Sequence, residues 1–404
     1  MKAFTFASTK ALAVEYGGAS KLAAHLLPLG ARRPLLVTDP GVASAGLLDG
    51  AMASLKSAGM AVCTYSDTEA DPPESLVLQA TQVAREHRAD SVIGFGGGSS
   101  MDIAKLVAVL AAPSCSQPLD TMYGVGNVRS GARLPLVQVP TTAGTGSEVT
   151  PISIITLGAE QKAGVVAPVL LPDVALLDGE LTASLPGHVA AATGVDAMVH
   201  AIEAYTSAVR KNPLSDLLAR EALALLSANI HAVSSSSSSS GGGDGGCGAA
   251  ASAEARSAML LGSCYAGMAF ANAPVAAVHA LAYPLGARFH VPHGLSNSLM
   301  LPHVLSHNAE AEEAAKLYAE LASLVLPTGA SVPAAAPAAA CALVDHFTAL
   351  PAALGLPVTL RDVGVAAADV PTLAEDAMKQ TRLLPNNPRE VNLEDAVRLY
   401  RAAL

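Results

Sequence analysis

At 404 residues the chain is long enough for two domains. Hydrophobic residues make up 51% of it and charged ones only 14%, which excludes a disordered chain and calls for a large buried core. A net charge of −10 argues against binding a nucleic-acid backbone or an anionic membrane surface, and no apolar run reaches the ~18 residues that span a bilayer.

Five cysteines, Cys63, Cys115, Cys247, Cys264 and Cys341, are scattered and odd in number. None forms a C-x-x-C, so they read as reduced thiols of a reducing compartment. The N-terminus carries no apolar stretch of signal-peptide length. The expected location is therefore the cytoplasm or an organellar matrix, and not the secretory route.

Through residue 185, short apolar runs alternate with helical patterns, the rhythm of an α/β domain with a parallel sheet. Leu35–Asp39 reads as a strand ended by Pro40-Gly41, and Val42–Gly59 as the helix that follows. Ala61–Tyr65 is the next strand. Pro73 suits the first turn of a helix that runs to about His87. Ser91–Phe95 is a third strand, leading into Gly96-Gly-Gly-Ser-Ser-Met-Asp102 and a helix through Leu110. Leu134–Val139 is a fourth, leading into Pro140-Thr-Thr-Ala-Gly-Thr-Gly-Ser147.

From residue 186 to 404 the texture changes to long Ala/Leu-rich periodic segments, which predict a helical domain. The helices are expected at Gly187–Ser207, Pro213–Val233, Ala249–Ala271, Val275–Leu285, Ala309–Leu324, Ala338–Leu354 and Leu393–Ala403. Residues 234–248, a run of Ser followed by Gly, have too little apolar area to pack and read as a flexible surface loop.

Two loops rich in Gly, Ser and Thr sit at strand carboxyl ends, where backbone N–H groups and a helix N-terminus favour phosphate. The first, Gly94-Phe-Gly-Gly97-Gly98-Ser99, departs from a full G-x-G-x-x-G because Ser99 takes the final glycine's place. The second, Thr141-Thr142-Ala-Gly144-Thr145, suits the ribose and nicotinamide side of a dinucleotide. Asp39 at the end of its strand has two readings. It can accept both hydroxyls of an adenosine ribose, which would select NAD over NADP, or it can cap the following helix.

Asp196 and His200 lie four residues apart in an Ala-rich run without proline. On a helix that spacing places a carboxylate and an imidazole on one face, as does any hydrogen-bonded Asp–His pair. Downstream, His279 and His293 add imidazoles in segments bent by Pro and Gly. The four together make a three-His, one-carboxylate site of the type that suits iron(II), manganese, cobalt, nickel or zinc.

Four stretches, Gly96–Asp102, Pro140–Thr150, Thr193–Tyr205 and His279–Asn297, resemble the iron-containing, or group III, alcohol dehydrogenases, in the same order and nearly end to end. The resemblance implies a dehydroquinate-synthase-like fold. An α/β, Rossmann-like NAD-binding domain would span residues 1–185 and a helical metal-binding domain residues 186–404. It implies Asp196, His200, His279 and His293 as the ligands of Fe2+ (or Zn2+ or another divalent cation), and Asp39, Gly97, Gly98, Ser99, Asp102, Thr141, Thr142 and Thr145 as NAD contacts. It also implies a homodimer and fermentative alcohol metabolism. Phe270 and Leu383 match positions that shape the family's substrate pocket, and core packing is the alternative reading of each.

The expected activity is hydride transfer between a small primary alcohol or diol and a nicotinamide, with the metal polarising the substrate oxygen. Many relatives carry His where this chain has Tyr283, and a phenol does not titrate near neutrality. His290 is the alternative candidate for moving a proton. Two other activities suit the same scaffold: a hydroxyacid–oxoacid transhydrogenase, and a dehydroquinate-synthase-like lyase. The lyase would need basic contacts to a phosphorylated sugar acid, which the sequence supplies sparsely.

Overall fold

The computed structural model describes residues 3–129, 131–158, 161–235, 251–327, 329 and 331–404. Ser8–Ser184 form one compact unit, and Leu185–Leu404 form another together with the first residues through Ala7. The Ser/Gly stretch lies almost entirely outside the described residues, as does Cys247; Ser234 and Ser235 are the end of a helix. The four described cysteines are free thiols. Among the described residues no single helix is long and apolar enough to cross a membrane.

The unit of Ser8–Ser184 runs through β1 (Ala11–Val14), α1 (Leu22–Leu26), β2 (Pro34–Val37), α2 (Pro40–Ser44), α3 (Asp49–Ser57), β3 (Cys63–Tyr65) and α4 (Glu74–His87). It continues through β4 (Ser91–Gly96), α5 (Gly98–Leu110), β5 (Gly124–Val125), β6 (Leu136–Pro140), β7 (Ile152–Leu157), β8 (Gln161–Val166) and β9 (Val174–Leu177). Six strands form one sheet in the order β1-β9-β6-β4-β2-β3, with every pairing parallel.

Strand alternation explains why helices cover both faces. Leu35, Val37 and Val92 pack with Leu76, Val77, Ile103 and Leu106 from α4 and α5. Leu36, Ile93 and Phe95 pack with Leu22, Leu26, Val42 and Leu55 from the opposite layer. Strands buried on both faces read as continuous apolar runs, as a parallel sheet requires.

Several details correct the sequence reading. The exposed edge strand β1 was not expected, so the strand before the first glycine loop is fourth in the chain and not third. The expected helix Val42–Gly59 divides into α2 and α3 at Gly46, which has φ 71°. A separate sheet, β5-β8-β7, contains an antiparallel pairing of β7 with β8.

The second unit is helical: α6 (Gly187–Thr206), α7 (Pro213–Ser235), α8 (Ala253–Asn272), α9 (Ala277–Phe289), α10 (His293–Ala309), α11 (Glu312–Val325), α12 (Ala336–Ala353), α13 (Val370–Met378) and α14 (Leu393–Ala402). Here the reading missed α10 and α13, and it ended α9 too early. Pro284 is accommodated inside α9, and only residues 290–292 separate α9 from α10.

Candidate functional site

Asp196, His200 and Glu203 lie along one face of α6, and all three are buried. His279 is the third residue of α9, and His293 is the first of α10. The fold brings the four expected donors together: one ligand atom from each of Asp196, His200, His279 and His293 lies within 4.8 Å of the other three. From Asp196 Oδ1 the distances are 4.0 Å to His200 Nε2, 3.9 Å to His279 Nε2 and 3.7 Å to His293 Nε2.

Asn297, one turn after His293 on α10, places its amide nitrogen 2.6 Å from Asp196 Oδ1, 3.2 Å from His279 Nε2 and 3.3 Å from His293 Nε2. One NH2 group has two hydrogens for those three acceptors. Among the described residues the amide's own Oδ1, which is buried, has no hydrogen-bond partner. Lone pairs converging on one point with so little donor capacity are the chemistry of a cation site, and the residues fit a divalent ion. Burial pushes the Asp196 carboxyl up, but the three imidazoles and the Asn297 amide together outweigh it and hold the group below the usual carboxylate range.

Apolar rings flank the tetrad. Phe270 of α8 stacks on His200 with centroids 4.4 Å apart, and His200 stacks on His279 at 4.7 Å. Tyr283, one turn after His279, has its ring 6.4 Å from His279 and 5.9 Å from His293. Phe270 and Tyr283 pack with Val275, Ala280, Leu383 and Leu384, so both expected pocket residues belong to one apolar group beside the donors. His290 stands differently. It is exposed and caps the C-terminus of α9 in a left-handed conformation, φ 53°, with its backbone N–H donating to Gly286. That makes it helix punctuation, and it is not one of the clustered side chains.

The nucleotide-type loops belong to the other unit. β2, β4 and β6 are adjacent in the sheet, so Asp39, the Gly96–Ser99 turn and the Thr141–Thr145 turn all follow neighbouring carboxyl ends. Gly97 is the N-cap of α5, and Gly98 and Ser99 open its first turn, whose N–H groups have no partner within the helix. A β-carbon on Gly98 would press to 2.9 Å from the Thr145 side chain, which explains glycine where the two loops approach. The Thr141 N–H donates to Gly96 O. Asp39 does cap α2, its Oδ1 accepting from Val42 N–H at 2.9 Å.

Asp102, an expected NAD contact, is held within the protein. Its Oδ1 accepts from Ser147 Oγ at 2.6 Å and lies 3.3 Å from Lys105 Nζ, while its Oδ2 accepts from Ile154 N–H at 2.8 Å. Both oxygens are engaged by protein donors, so the residue ties α5 to the second glycine loop and to β7. Lys105 completes the tie. It is fully buried, which lowers its pKa, and it donates to Ser147 Oγ at 2.7 Å, Thr150 Oγ1 at 3.2 Å and Ile152 O at 2.5 Å.

Sequence reasoning missed Glu203 and Asn297. Glu203 could have been found from its spacing, since positions 196, 200 and 203 share one helical face. Asn297 could not, because α10 had not been recognised as a helix.

Comparison with known proteins agrees with this geometry. Residues 10–179 match the model of iron-containing alcohol dehydrogenase, and residues 190–404 match the C-terminal model of the same family. The chain is 37% identical over 391 residues to long-chain-alcohol dehydrogenase 1 of Geobacillus thermodenitrificans, covering 96% of this chain and 94% of that one. A crystal structure of 1,3-propanediol oxidoreductase superposes with a TM-score of 0.90 at 32% identity, covering 100% of both chains. Sulfoacetaldehyde reductase from Bifidobacterium kashiwanohense, solved in complex with NAD+, superposes with a TM-score of 0.85 at 25% identity, covering 100% of this chain and 99% of that one. The chain, an oxidoreductase by these relationships, belongs to the iron-containing alcohol dehydrogenase family.

Proposed function

We propose that this protein is a metal-dependent, NAD-linked alcohol dehydrogenase and aldehyde reductase acting on an unbranched aliphatic primary alcohol or diol. The observation that carries the reading is the tetrad itself, three imidazoles and a buried carboxylate whose donor atoms lie within 4.8 Å of one another. Asp196, His200, His279 and His293 would hold the ion, and this nitrogen and oxygen set suits iron(II), with zinc and other divalent ions as competitors. When bound, the ion supplies Lewis acidity toward a substrate oxygen and NAD supplies the hydride acceptor.

The chain's own residues supply the rest. The N-terminus of α5, at Gly97, Gly98 and Ser99, offers N–H groups and a favourable dipole to a pyrophosphate. Thr141, Thr142 and Thr145 offer hydroxyls beside it, and Asp39 retains a second oxygen for a ribose. The apolar group of Phe270, Tyr283 and Leu383 supports an aliphatic substrate and disfavours water near the donors. Relatives named for long-chain alcohols and for 1,3-propanediol support a primary carbinol and leave its chain length to experiment.

The test is a panel of straight-chain primary alcohols and diols, with NAD, assayed on protein stripped by chelation and reloaded with iron(II), zinc or nickel. NADH formation that depends on the ion, with alcohol and NAD alone, is the expected result. Turnover that appears only when an oxoacid is added as second substrate would replace this reading with the transhydrogenase.

A further inference from the structure

We propose that Glu203 is a positioning residue of the metal centre, whose carboxylate keeps the proton of His279 on Nδ1 and thereby leaves Nε2 with the lone pair that a cation takes. The inference rests on the metal-site reading above and adds a residue that acts through one of the donors.

Glu203 lies less than one turn beyond His200 on α6, and its side chain is 4% exposed. Its two oxygens have separate tasks. Oε2 lies 2.6 Å from His279 Nδ1, and Oε1 accepts the Val278 N–H at 2.7 Å. Both therefore face the first turn of α9, and Glu203 is not one of the clustered donors. An ionised carboxylate can only accept, so the imidazole nitrogen beside it must carry hydrogen. In the neutral ring that leaves Nε2 as the acceptor, and Nε2 is the atom 3.9 Å from Asp196 Oδ1.

The second contact sets the ring's origin. Val278 is the second residue of α9, where N–H groups have no helical partner and a negative charge is favoured. A capping role would need that oxygen alone. Using both oxygens on consecutive residues fixes the start of α9 and the rotation of the His279 ring together, the outer-sphere arrangement that orients histidine ligands in metal sites.

The experiment compares metal affinity, by competition with a graded series of chelators, in the full-length wild type, Glu203→Gln, Glu203→Leu and His279→Ala. In Glu203→Gln the amide oxygen can keep the Val278 N–H only by turning its NH2 toward Nδ1, which forces the ring's proton onto Nε2. The expected order is therefore wild type, then Leu, then Gln, with the Gln variant binding the ion roughly 10–100-fold more weakly while its metal-free Tm stays closer to wild type than that of the Leu variant. Wild-type affinity in Glu203→Gln, or tighter binding by Gln than by Leu, would overturn the proposal and leave Glu203 as a helix cap. Nitrogen NMR of the metal-free wild type gives a reading independent of any variant: a proton on Nδ1 of His279 supports the assignment, and a proton on Nε2 overturns it. Should His279→Ala hold the ion as tightly as wild type, the metal-site reading itself fails. Loss of the ion there with none in Glu203→Gln removes only the positioning role.

Discussion

A β-carbon on Gly294 would stand 2.4 Å from the carbonyl oxygen of Ala192 and 3.3 Å from the β-carbon of Asp196. The missing side chain is what lets the first turn of α10, with His293, lie against α6 beside the carboxylate donor. Gly294→Ala is expected to force the two helices apart and to draw His293 away from Asp196. Stability should fall by about 1–3 kcal/mol, the usual range for overpacking, and the ion content of the folded protein should fall with it. Chemical denaturation and metal analysis check both; wild-type values in each would show that the helices part without consequence.

His279→Ala should abolish turnover and ion retention together, because it removes one of four donors and leaves the Glu203 carboxylate without its imidazole. Activity assays run beside elemental analysis of the purified variant decide the matter. Full activity in that variant would end the metal-dependent account of the chemistry.

Asp39 caps α2 through Val42, so a test of its ribose role must spare the cap. Ser caps as well as Asp does. Asp39→Ser should therefore leave stability nearly unchanged while removing the charge that repels a 2′-phosphate. The ratio of kcat/KM for NADP over NAD should rise by roughly tenfold, equivalent to ~1.4 kcal/mol. An unchanged ratio with intact stability would leave Asp39 with capping alone.

Asp173 supplies the pH dependence. Burial pushes its carboxyl up, but hydrogen bonds from Arg133, Lys10 and the Leu136 N–H prevail and hold it below its ordinary value of 3.8. Arg133 and Lys10 each approach to 2.5 Å, although Lys10 is largely exposed and its share is screened. A lowered folded-state pKa gives stabilisation that is complete above the unfolded value and disappears as pH falls through the folded one. Asp173→Asn should cost about 1.5–3 kcal/mol at neutral pH, the range for hydrogen bonds to charged groups. The deficit relative to wild type should shrink below about pH 4. Urea titrations across that range measure it, and a gap independent of pH would contradict the assignment.

Much of the fold was legible where patterns run long. The helices from α6 to α8, the strand before each glycine loop and the helix after the first follow from periodicity and from Pro and Gly punctuation. Strands β1, β5, β7, β8 and β9 were not read from the sequence, because short runs without flanking turn signals support strand and helix equally. The helix expected at Val275–Leu285 includes Pro284 but stops one residue after it. A proline removes one N–H, yet α9 continues past it to Phe289, and with that extension missed, the start of α10 at His293 was missed too. The tetrad was readable because its donors are chemically rare and Asp196 and His200 keep helical spacing. The roles of Asp102 and His290 are harder to read for the opposite reason. Their sequence neighbourhoods look functional, but only coordinates show that Asp102 faces Lys105 and Ser147, and that His290 turns a corner in the chain.

All four donors, with Glu203 and Asn297, are carried by α6, α9 and α10 within a single compact unit. Filling and emptying of the centre is therefore a local matter of three helices, and the parallel sheet with its glycine loops need not be rebuilt when the ion leaves.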